Sequence, residues 1–213
     1  MIAFPKPRTP LVLATHNAGK LRELTPWVLS QGLEPHTLDE FGIPSPEETG
    51  STLEANALIK AEQARKQCAL AVLADDSGLE VDALEGGPGV MTADYAGPAA
   101  GAEDNIRKLL SALDGLPPNR RLARFRCVLV LWPAERESPF IAEGVCSGRI
   151  LAAPRGQRGF GYDPVFEILE LGRSMAEIEY DLKEKYSHRG LALAALHNLL
   201  ATADWPPGDG AGC

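Results

Sequence analysis

The chain has 213 residues, 45% hydrophobic and 23% charged, which is enough for one sizeable domain with an ordinary core. Its formal net charge of −8 disfavours a nucleic-acid backbone as the main partner, because binding many phosphates needs a basic excess. The four cysteines form no C-x-x-C pair and no apolar run reaches membrane-span length, so neither a structural zinc site nor a membrane partner is expected. We therefore expect a reduced, cytoplasmic protein, with a single domain over 10–203 and flexible termini at 1–9 and 206–213.

Apolar spacing and turn residues predict an alternation of strands and helices in the first half of the chain. In order, these elements are a strand over 11–14, a polar turn over 15–20, a helix through Leu21 and Leu29, a loop over 32–50, a helix opened by a capping box at 51–54, a strand over 70–74, and a short segment over 79–84.

In the second half of the chain, two apolar runs separated by a turn region predict a β-hairpin between helices. Its elements are a helix over 103–113, a loop over 116–121, strands over 123–132 and 140–145, a glycine-rich segment over 155–163, and a helix from His188 to Leu200 capped by Ser187. Early alternation followed by a hairpin predicts an α/β fold with a mixed β-sheet flanked by helices.

Two adjacent carboxylates follow the apolar run 70–74. We expect Asp75 and Asp76 where a buried strand ends and the chain turns, on Ser77 and Gly78. Acids side by side at the edge of a core need a positive partner, and Mg²⁺ takes carboxylate oxygens. A solvated Asp-Asp turn is the alternative interpretation.

A second acidic pair, Glu47 and Glu48, lies in the long loop before the second predicted helix. A solvated acidic loop is the simpler interpretation. The pair becomes a source of further metal ligands only if the loop comes close to Asp76.

The segment Thr15-His16-Asn17-Ala18-Gly19-Lys20 lies between a predicted strand and a helix N-terminus, where free amides and the helix dipole favour anions. Lys20 adds a positive charge. The segment is not a P-loop, because it has one glycine and Leu21 replaces the hydroxyl residue that would bind magnesium. Simple capping of the helix by Thr15 or Asn17 is the alternative.

Two later segments could contact a flat base. Gly159-Phe160-Gly161-Tyr162-Asp163-Pro164 offers an aromatic ring beside bare backbone, although an aromatic plug in the core is the alternative. The polar cluster containing Lys183, His188 and Arg189 could bind an anion or a purine edge, although a solvated helix end is the alternative. Basic residues at a helix N-terminus oppose its dipole, which slightly favours a functional role.

Six segments, taken in order, resemble the inosine triphosphate pyrophosphatases, a family that hydrolyses non-standard purine nucleoside triphosphates. They are LATHNAGKLREL, EETGSTLEANALIKA, LADDSGLEVDALEGGPGV, RFRCVLVL, PRGQRGFGYDPVF and SHRGLAL, and they extend from Leu11 to about Leu200. The resemblance implies a long mixed sheet, two lobes around a central cleft, a homodimer, and Mg²⁺-dependent release of pyrophosphate from ITP, dITP and XTP.

The resemblance also implies roles for individual residues. Asp76 would be the catalytic carboxylate and, with Glu47, a Mg²⁺ ligand. The substrate would contact Thr15, His16, Asn17, Ala18, Gly19, Lys20, Ser77, Phe160, Gly161, Tyr162, Asp163, Lys183, His188 and Arg189.

This chain departs from the family pattern at Asp94, where an arginine is expected, and in its terminal extensions. Two other functions remain open at this stage. One is a related pyrophosphatase that prefers modified pyrimidine nucleotides, and the other is a nucleotide sensor without catalysis. The acids Glu47, Asp75 and Asp76 argue against the sensor, because a binder of polyanions gains nothing from acids unless a metal is present.

Overall fold

The computed structural model describes residues 8–203 and residue 205. Its strands form one eight-stranded sheet. In chain order they are β1 (Thr9–Leu13), β2 (Leu33–Thr37), β3 (Ala71–Val81), β4 (Pro88–Gly89), β5 (Leu122–Trp132), β6 (Phe140–Ile150), β7 (Phe166–Ile168) and β8 (Arg173–Ser174).

Five α-helices accompany the sheet within the described residues. They are α1 (Ala18–Ser30), α2 (Leu53–Cys68), α3 (Ala102–Ala112), α4 (Tyr180–Tyr186) and α5 (His188–Thr202). Among these residues, each helix is too short or too polar to span a bilayer.

The sheet is mixed, as predicted. Its strand order is β2-β1-β3-β5-β6-β7-β8, with β4 paired to β3. The pairs β1–β2 and β1–β3 are parallel, whereas β3–β5, β5–β6 and the later pairs are antiparallel. The predicted hairpin of β5 and β6 is confirmed, and β6 runs on to Ile150.

Side-chain alternation along the central strands builds a core on each face of the sheet. On one face, α1 and α5 cover Leu11, Leu13 and Leu73. On the other face, α2 covers Val12 and Val72. The first two clusters form one lobe. A third apolar cluster, at the far end of β3, β5 and β6, packs with α3 and β7 and forms the second lobe.

The predicted turn at Asp75–Gly78 is wrong. Strand β3 continues through it to Val81, and every residue from Val72 to Val81 pairs with β5. Two acids, a serine and a glycine are poor strand formers, but pairing with the long β5 overrides local preference. Gly78 is needed because β4 approaches closely: a Cβ at this position would lie 2.7 Å from the Gly89 carbonyl oxygen.

Other predicted boundaries also move. The loop over 32–50 contains β2, and β1 begins at Thr9, inside the terminus expected to be flexible. The N-cap of α2 is Thr52 rather than Ser51, and its hydroxyl accepts a hydrogen bond from Ala55 N at 3.1 Å. The remaining predicted flexible residues, 1–7 and 206–213, lie outside the described residues.

Candidate active site

A cleft of about 610 Å³ opens between the two lobes. It contains every residue predicted for the site except Glu47. The predicted residues that line it are Thr15, His16, Asn17, Ala18, Gly19, Lys20, Asp76, Ser77, Phe160, Gly161, Tyr162, Asp163, Lys183, His188 and Arg189.

The turn before α1 caps that helix, which was the alternative to anion binding for this segment. Asn17 is the N-cap, and its Oδ1 accepts hydrogen bonds from Gly19 N at 2.9 Å and Lys20 N at 3.1 Å. Those two amides are therefore already satisfied. Any anion held here depends on the Lys20 ammonium and on the other groups of the turn.

Asp75 lies on the α1 and α5 side of β3 and is 1% exposed. Its carboxylate contacts Lys20 Nζ at 2.5 Å, Arg189 Nε at 2.6 Å and the Ser77 hydroxyl at 2.9 Å. Burial alone would raise the pKa of Asp75, but the charges of Arg189 and then Lys20 outweigh it and hold that pKa well below its usual range. Asp75 is therefore an ionised, fully partnered acid beneath the cleft.

Asp76 points to the α2 side of the strand. Its Oδ1 contacts Lys60 Nζ at 2.6 Å, whereas its buried Oδ2 has no hydrogen-bond partner among the described residues. Burial raises the pKa of Asp76, and the Lys60 charge opposes this shift only in part. Within the described part of the chain, one buried oxygen of this cleft-lining aspartate therefore has no hydrogen-bond partner.

Two carboxylates meet the same ammonium at this end of the cleft. Lys60 Nζ lies 2.7 Å from Glu48 Oε1 as well as 2.6 Å from Asp76, and Glu48 lines the cleft. Glu47 is exposed and is not part of the lining. The structure thus brings Glu48, rather than Glu47, to the same lysine as Asp76.

The described residues contain no group of three or more His, Cys, Asp or Glu side chains that could hold a metal ion alone. Mg²⁺ usually takes one or two carboxylates and completes its shell with water and substrate phosphates. The unpartnered Oδ2 of Asp76, with Glu48 nearby, fits that donor set. A cation would be completed by a polyphosphate rather than by further side chains.

Phe160 stands between the turn before α1 and two cations. A Cβ at Gly19 would lie 2.6 Å from atoms of the Phe160 ring, so glycine is required for this contact. Lys183 Nζ lies 5.0 Å and Arg189 Cζ 5.7 Å from the ring centroid. The backbone N–H of Phe160 donates to Asp163 Oδ2 at 2.8 Å, which fixes the loop that carries the ring.

His188 is a buried imidazole at the same end of the cleft. Its ring stacks on Phe125, with centroids 4.6 Å apart and planes at 14°, and its Nδ1 has no partner among the described residues. Burial, and then the adjacent Arg189 charge, hold the pKa of His188 well below its usual range. His188 is therefore neutral at physiological pH.

Asp94, which replaces the expected arginine, is exposed in the turn that follows β4. Its neighbours Thr92 and Ala93 line the cleft. Asn105 on α3 secures this turn, because it donates to Ala93 O and accepts from Ala96 N, each at 2.7 Å. Asp94 itself is not among the lining residues.

Sequence reasoning missed two charged residues on helices, the buried Lys60 and the partly buried Glu23. Lys60 lies on the α2 face that also buries Ala57, Ala61 and Ala64. Glu23 lies on α1, one turn before the buried Trp27. A charged residue within an otherwise apolar helical stripe is the signal that could have found both.

Comparison with known proteins places the chain among relatives of one family. The Ham1 family model matches residues 11–199. A dITP/XTP pyrophosphatase of Methylococcus capsulatus is 52% identical over 91% of this chain and 96% of its own length. A second dITP/XTP pyrophosphatase, from Thioalkalivibrio sulfidiphilus, is 50% identical over 87% of this chain and 95% of its own length.

Among solved structures, a HAM1 protein of Coxiella burnetii superposes with a TM-score of 0.82 at 41% identity, covering 91% of this chain and 99% of that one. The match in sequence extends over nearly the whole described chain, and the match in structure includes both lobes. This chain belongs to the Ham1 family.

Proposed function

We propose that this protein hydrolyses non-standard purine nucleoside triphosphates, namely ITP, dITP and XTP, to the nucleoside monophosphate and pyrophosphate. Such an activity would remove these nucleotides from the nucleotide pool. The observation that carries the proposal is one cleft that joins Asp76, with its free carboxylate oxygen, to the Lys20 turn and to the Phe160 pocket. The names of the relatives, dITP/XTP pyrophosphatase, support it.

The proposal includes Mg²⁺, held by Asp76 and by an acid of the loop before α2. When bound, the ion neutralises charge that develops on the phosphates of the leaving pyrophosphate. The family resemblance assigns the second acid to Glu47, whereas Glu48 is the one that lines the cleft. Measuring the Mg²⁺ dependence of Glu47→Gln and Glu48→Gln separates the two, because only the ligand variant should need more Mg²⁺ for half-maximal turnover.

Asp76 also has the properties of a general base. Its carboxylate lines the cleft, and a carboxylate can accept a proton from an attacking water. In the proposed reaction, Asp76 orients the attacking water and accepts its proton. Lys60 Nζ lies 2.6 Å from Asp76, and its positive charge reduces the repulsion between this carboxylate and the incoming phosphates.

Lys20 is the proposed contact for the triphosphate. In the structure its ammonium contacts Asp75 at 2.5 Å and also donates to the Asp75 carbonyl oxygen at 3.2 Å. An ammonium has three donors, so Lys20 can keep Asp75 and still reach a phosphate oxygen. The already capped amides of Gly19 and Lys20 contribute less than the sequence suggested.

To select a 6-oxopurine over adenine, the site needs a side chain that can donate a hydrogen bond to the base but cannot accept one. Hypoxanthine and xanthine carry a 6-oxo acceptor where adenine carries an amine. Neutral His188 can donate or accept through either tautomer, and so does not exclude adenine by itself. Lys183 cannot accept: its ammonium contacts Asp163 at 2.5 Å and Glu23 at 2.7 Å, which leaves a third donor for the base.

An unpaired buried donor costs about 1–3 kcal/mol, which corresponds to about one to two orders of magnitude of discrimination against adenine. Guanine shares the 6-oxo group, so a second feature of the site must exclude GTP. The absence of an acceptor for the guanine 2-amine would serve.

A substrate panel tests the proposed function. Purified protein with Mg²⁺ should release pyrophosphate from ITP, dITP and XTP much faster than from ATP or GTP. Faster turnover of modified dUTP or dTTP would favour a pyrimidine-directed pyrophosphatase. Tight binding of ITP with no Mg²⁺-dependent product would favour a nucleotide sensor. Either result would overturn the proposal.

The same proposal includes a homodimer in a reduced, cytoplasmic setting. Among the described residues, Cys68, Cys127 and Cys146 are free thiols. Light scattering coupled to size-exclusion chromatography measures the oligomeric state directly. A mass of one chain across the working concentration range would remove the dimer from the proposal.

A further inference from the structure

His16 connects two segments of the chain that are distant in sequence. It lies in the turn between β1 and α1 and lines the cleft. Its imidazole contacts the segment that follows β2, which contains a 3₁₀ turn, Asp39–Phe41. Nδ1 lies 3.0 Å from Asp39 Oδ1, and Nε2 lies 3.2 Å from the Ile43 carbonyl oxygen. The ring therefore holds this segment at two points.

Both partners of the His16 ring can only accept a hydrogen bond. A carbonyl oxygen carries no proton, and neither does an ionised carboxylate. Each ring nitrogen must then donate, and of the states of histidine only the imidazolium carries a proton on both nitrogens. Asp39 supplies the negative charge that faces this cation. The two hydrogen bonds therefore exist together only while the ring is charged.

The segment held by His16 leads directly into the loop that carries Glu47 and Glu48. Residues 44–50, which we call the acid loop, form no helix or strand. Among the described residues, the acid loop takes part in no backbone–backbone hydrogen bond. A loop of this kind is held in place by its side chains and by the contacts at its two ends.

The two ends of the acid loop are secured differently. At the far end, Gly50 N donates to Asn56 Oδ1 on α2 at 2.7 Å. The near end follows Ile43, which is 3% exposed and whose carbonyl oxygen is the partner of His16 Nε2. His16 thus joins the near end of the acid loop to the turn before α1.

We propose that His16 is a positioning residue for the proposed metal site, an inference that rests on the proposed function. As an imidazolium, His16 holds the near end of the acid loop against the turn before α1, so that the acid of this loop stays near Asp76. The role requires no contact between the ring and the substrate. When the ring loses a proton, one of its two hydrogen bonds is lost and the metal ion is bound more weakly.

Mn²⁺ binding tests this role without turnover. Electron paramagnetic resonance measures the Mn²⁺ dissociation constant in the presence of an ITP analogue that has nitrogen in place of the α,β-bridging oxygen. His16→Asn places an amide near the position of Nδ1 and cannot reach Ile43, whereas His16→Gln places an amide near Nε2 and can. We expect the dissociation constant to rise about tenfold in His16→Asn and less in His16→Gln.

The affinity of the analogue without metal separates positioning from a direct contact with the substrate. It should stay at the wild-type value in His16→Asn, because the ring does not need to touch the nucleotide. An equal loss of affinity for the analogue with and without Mn²⁺ would overturn the proposal.

The pH dependence tests the charge on the ring. Asp39→Asn gives the ring a partner that can also donate, so a neutral ring can satisfy both contacts. The ratio of the wild-type Mn²⁺ dissociation constant to that of Asp39→Asn should rise about two- to tenfold from about pH 5 to about pH 8, where histidine side chains lose their charge. A constant ratio would overturn the role of the imidazolium.

Using this ratio cancels the titration of the other charged groups near the ring. Among the described residues, Asp39 is the carboxylate within ion-pair distance of His16. The charged side chains that line the cleft on the neighbouring elements are Lys20 on α1, Glu48 in the acid loop, Lys60 on α2 and Asp76 on β3.

His36→Gln is the matched control. His36 Nδ1 lies 2.8 Å from Glu40 Oε2 of the same 3₁₀ turn, and His36 does not line the cleft. The control should keep the wild-type Mn²⁺ dissociation constant. An equal loss in His36→Gln would overturn the proposal, because any disturbance of the 3₁₀ turn would then suffice.

Turnover of ITP by the wild-type protein distinguishes a failure of this inference from a failure of the proposed function. Wild-type turnover together with unchanged Mn²⁺ binding in His16→Asn rejects only the role of His16. Absence of wild-type turnover with both Mg²⁺ and Mn²⁺ rejects the proposed function itself, whatever the Mn²⁺ binding of the variants.

Discussion

Asp75 and Asp76 are neighbours in sequence, yet they belong to two different regions of the cleft floor. Asp75 is 1% exposed and has Lys20, Arg189 and Ser77 as partners, and its pKa lies well below the usual range. Among the described residues, the Asp76 carboxylate contacts Lys60 through one oxygen, its other oxygen has no partner, and its pKa is raised. Strand alternation places the two acids on opposite faces of β3, so one can stabilise the scaffold while the other carries out chemistry.

The largest expected effect is the loss of turnover when Asp76 is replaced. Asp76→Asn should lower kcat for ITP by about 10³-fold or more, because the proposed base and Mg²⁺ ligand is lost. The free energy of unfolding should not fall, since burial already disfavours the charged form of this carboxyl. Steady-state kinetics and urea unfolding of the same preparation measure both.

Asp82→Asn is the matched control, because Asp82 is exposed after β3. It should leave both quantities at their wild-type values. Undiminished turnover in Asp76→Asn would remove Asp76 from the reaction.

Asp75→Asn should show the opposite pattern. It leaves Lys20 and Arg189 without their shared buried anion, so the free energy of unfolding should fall by about 3–5 kcal/mol. Urea unfolding monitored by circular dichroism measures the loss. A stability equal to that of the wild type would contradict the role of Asp75 as the anion that holds the floor of the cleft together.

Gly19→Ala tests the close contact between the first turn of α1 and the Phe160 ring. The new methyl group would lie 2.6 Å from the Phe160 ring, so the ring must move. We expect KM for ITP to rise about tenfold, with stability within about 1 kcal/mol of wild type, because alanine favours a helix more than glycine does.

A double-mutant cycle with Phe160→Leu isolates this contact. The smaller side chain should remove most of the effect of Gly19→Ala. Strictly additive changes in kcat/KM would show that the two positions do not act on each other.

The smallest expected effect concerns acid stability and His188. Its pKa is held below the usual value of about 6.5, so the unfolded chain binds the proton more readily than the folded one as pH falls. This contribution to stability is therefore fully present above about pH 6.5 and is lost below it. The groups whose charges act on the ring are Arg189, Asp75, Lys183 and Lys20.

His188→Gln removes that titration. The stability difference between wild type and variant should shrink as pH falls below about 6.5, as measured by urea unfolding at several pH values. A difference that is constant with pH would contradict the account of a buried, neutral imidazole.

The sequence predicted the parts of the site that have local signals. The strand before Thr15, the β5–β6 hairpin and the Ser187 cap of α5 all follow from apolar spacing and turn or cap residues near them in the chain. The class of fold follows from the same pattern, since early alternation of strands and helices requires parallel pairing and a hairpin requires antiparallel pairing.

The rest depended on partners distant in sequence. Nothing near Ser77 and Gly78 indicates that β5 pairs along the whole of β3, so the sequence predicts a turn where the structure has a strand. Lys60 and Glu23 are charged residues on helices, and only the packing of those helices places them against Asp76 and Lys183. The choice between Glu47 and Glu48 likewise needs the path of a loop that has no periodic pattern.

The identity of the products from ITP and Mg²⁺ tests the central claim most directly. Anion-exchange chromatography of a wild-type reaction should show IMP and pyrophosphate in equal amounts, and neither product should accumulate with Asp76→Asn. IDP and inorganic phosphate as the primary products would contradict the proposed pyrophosphatase.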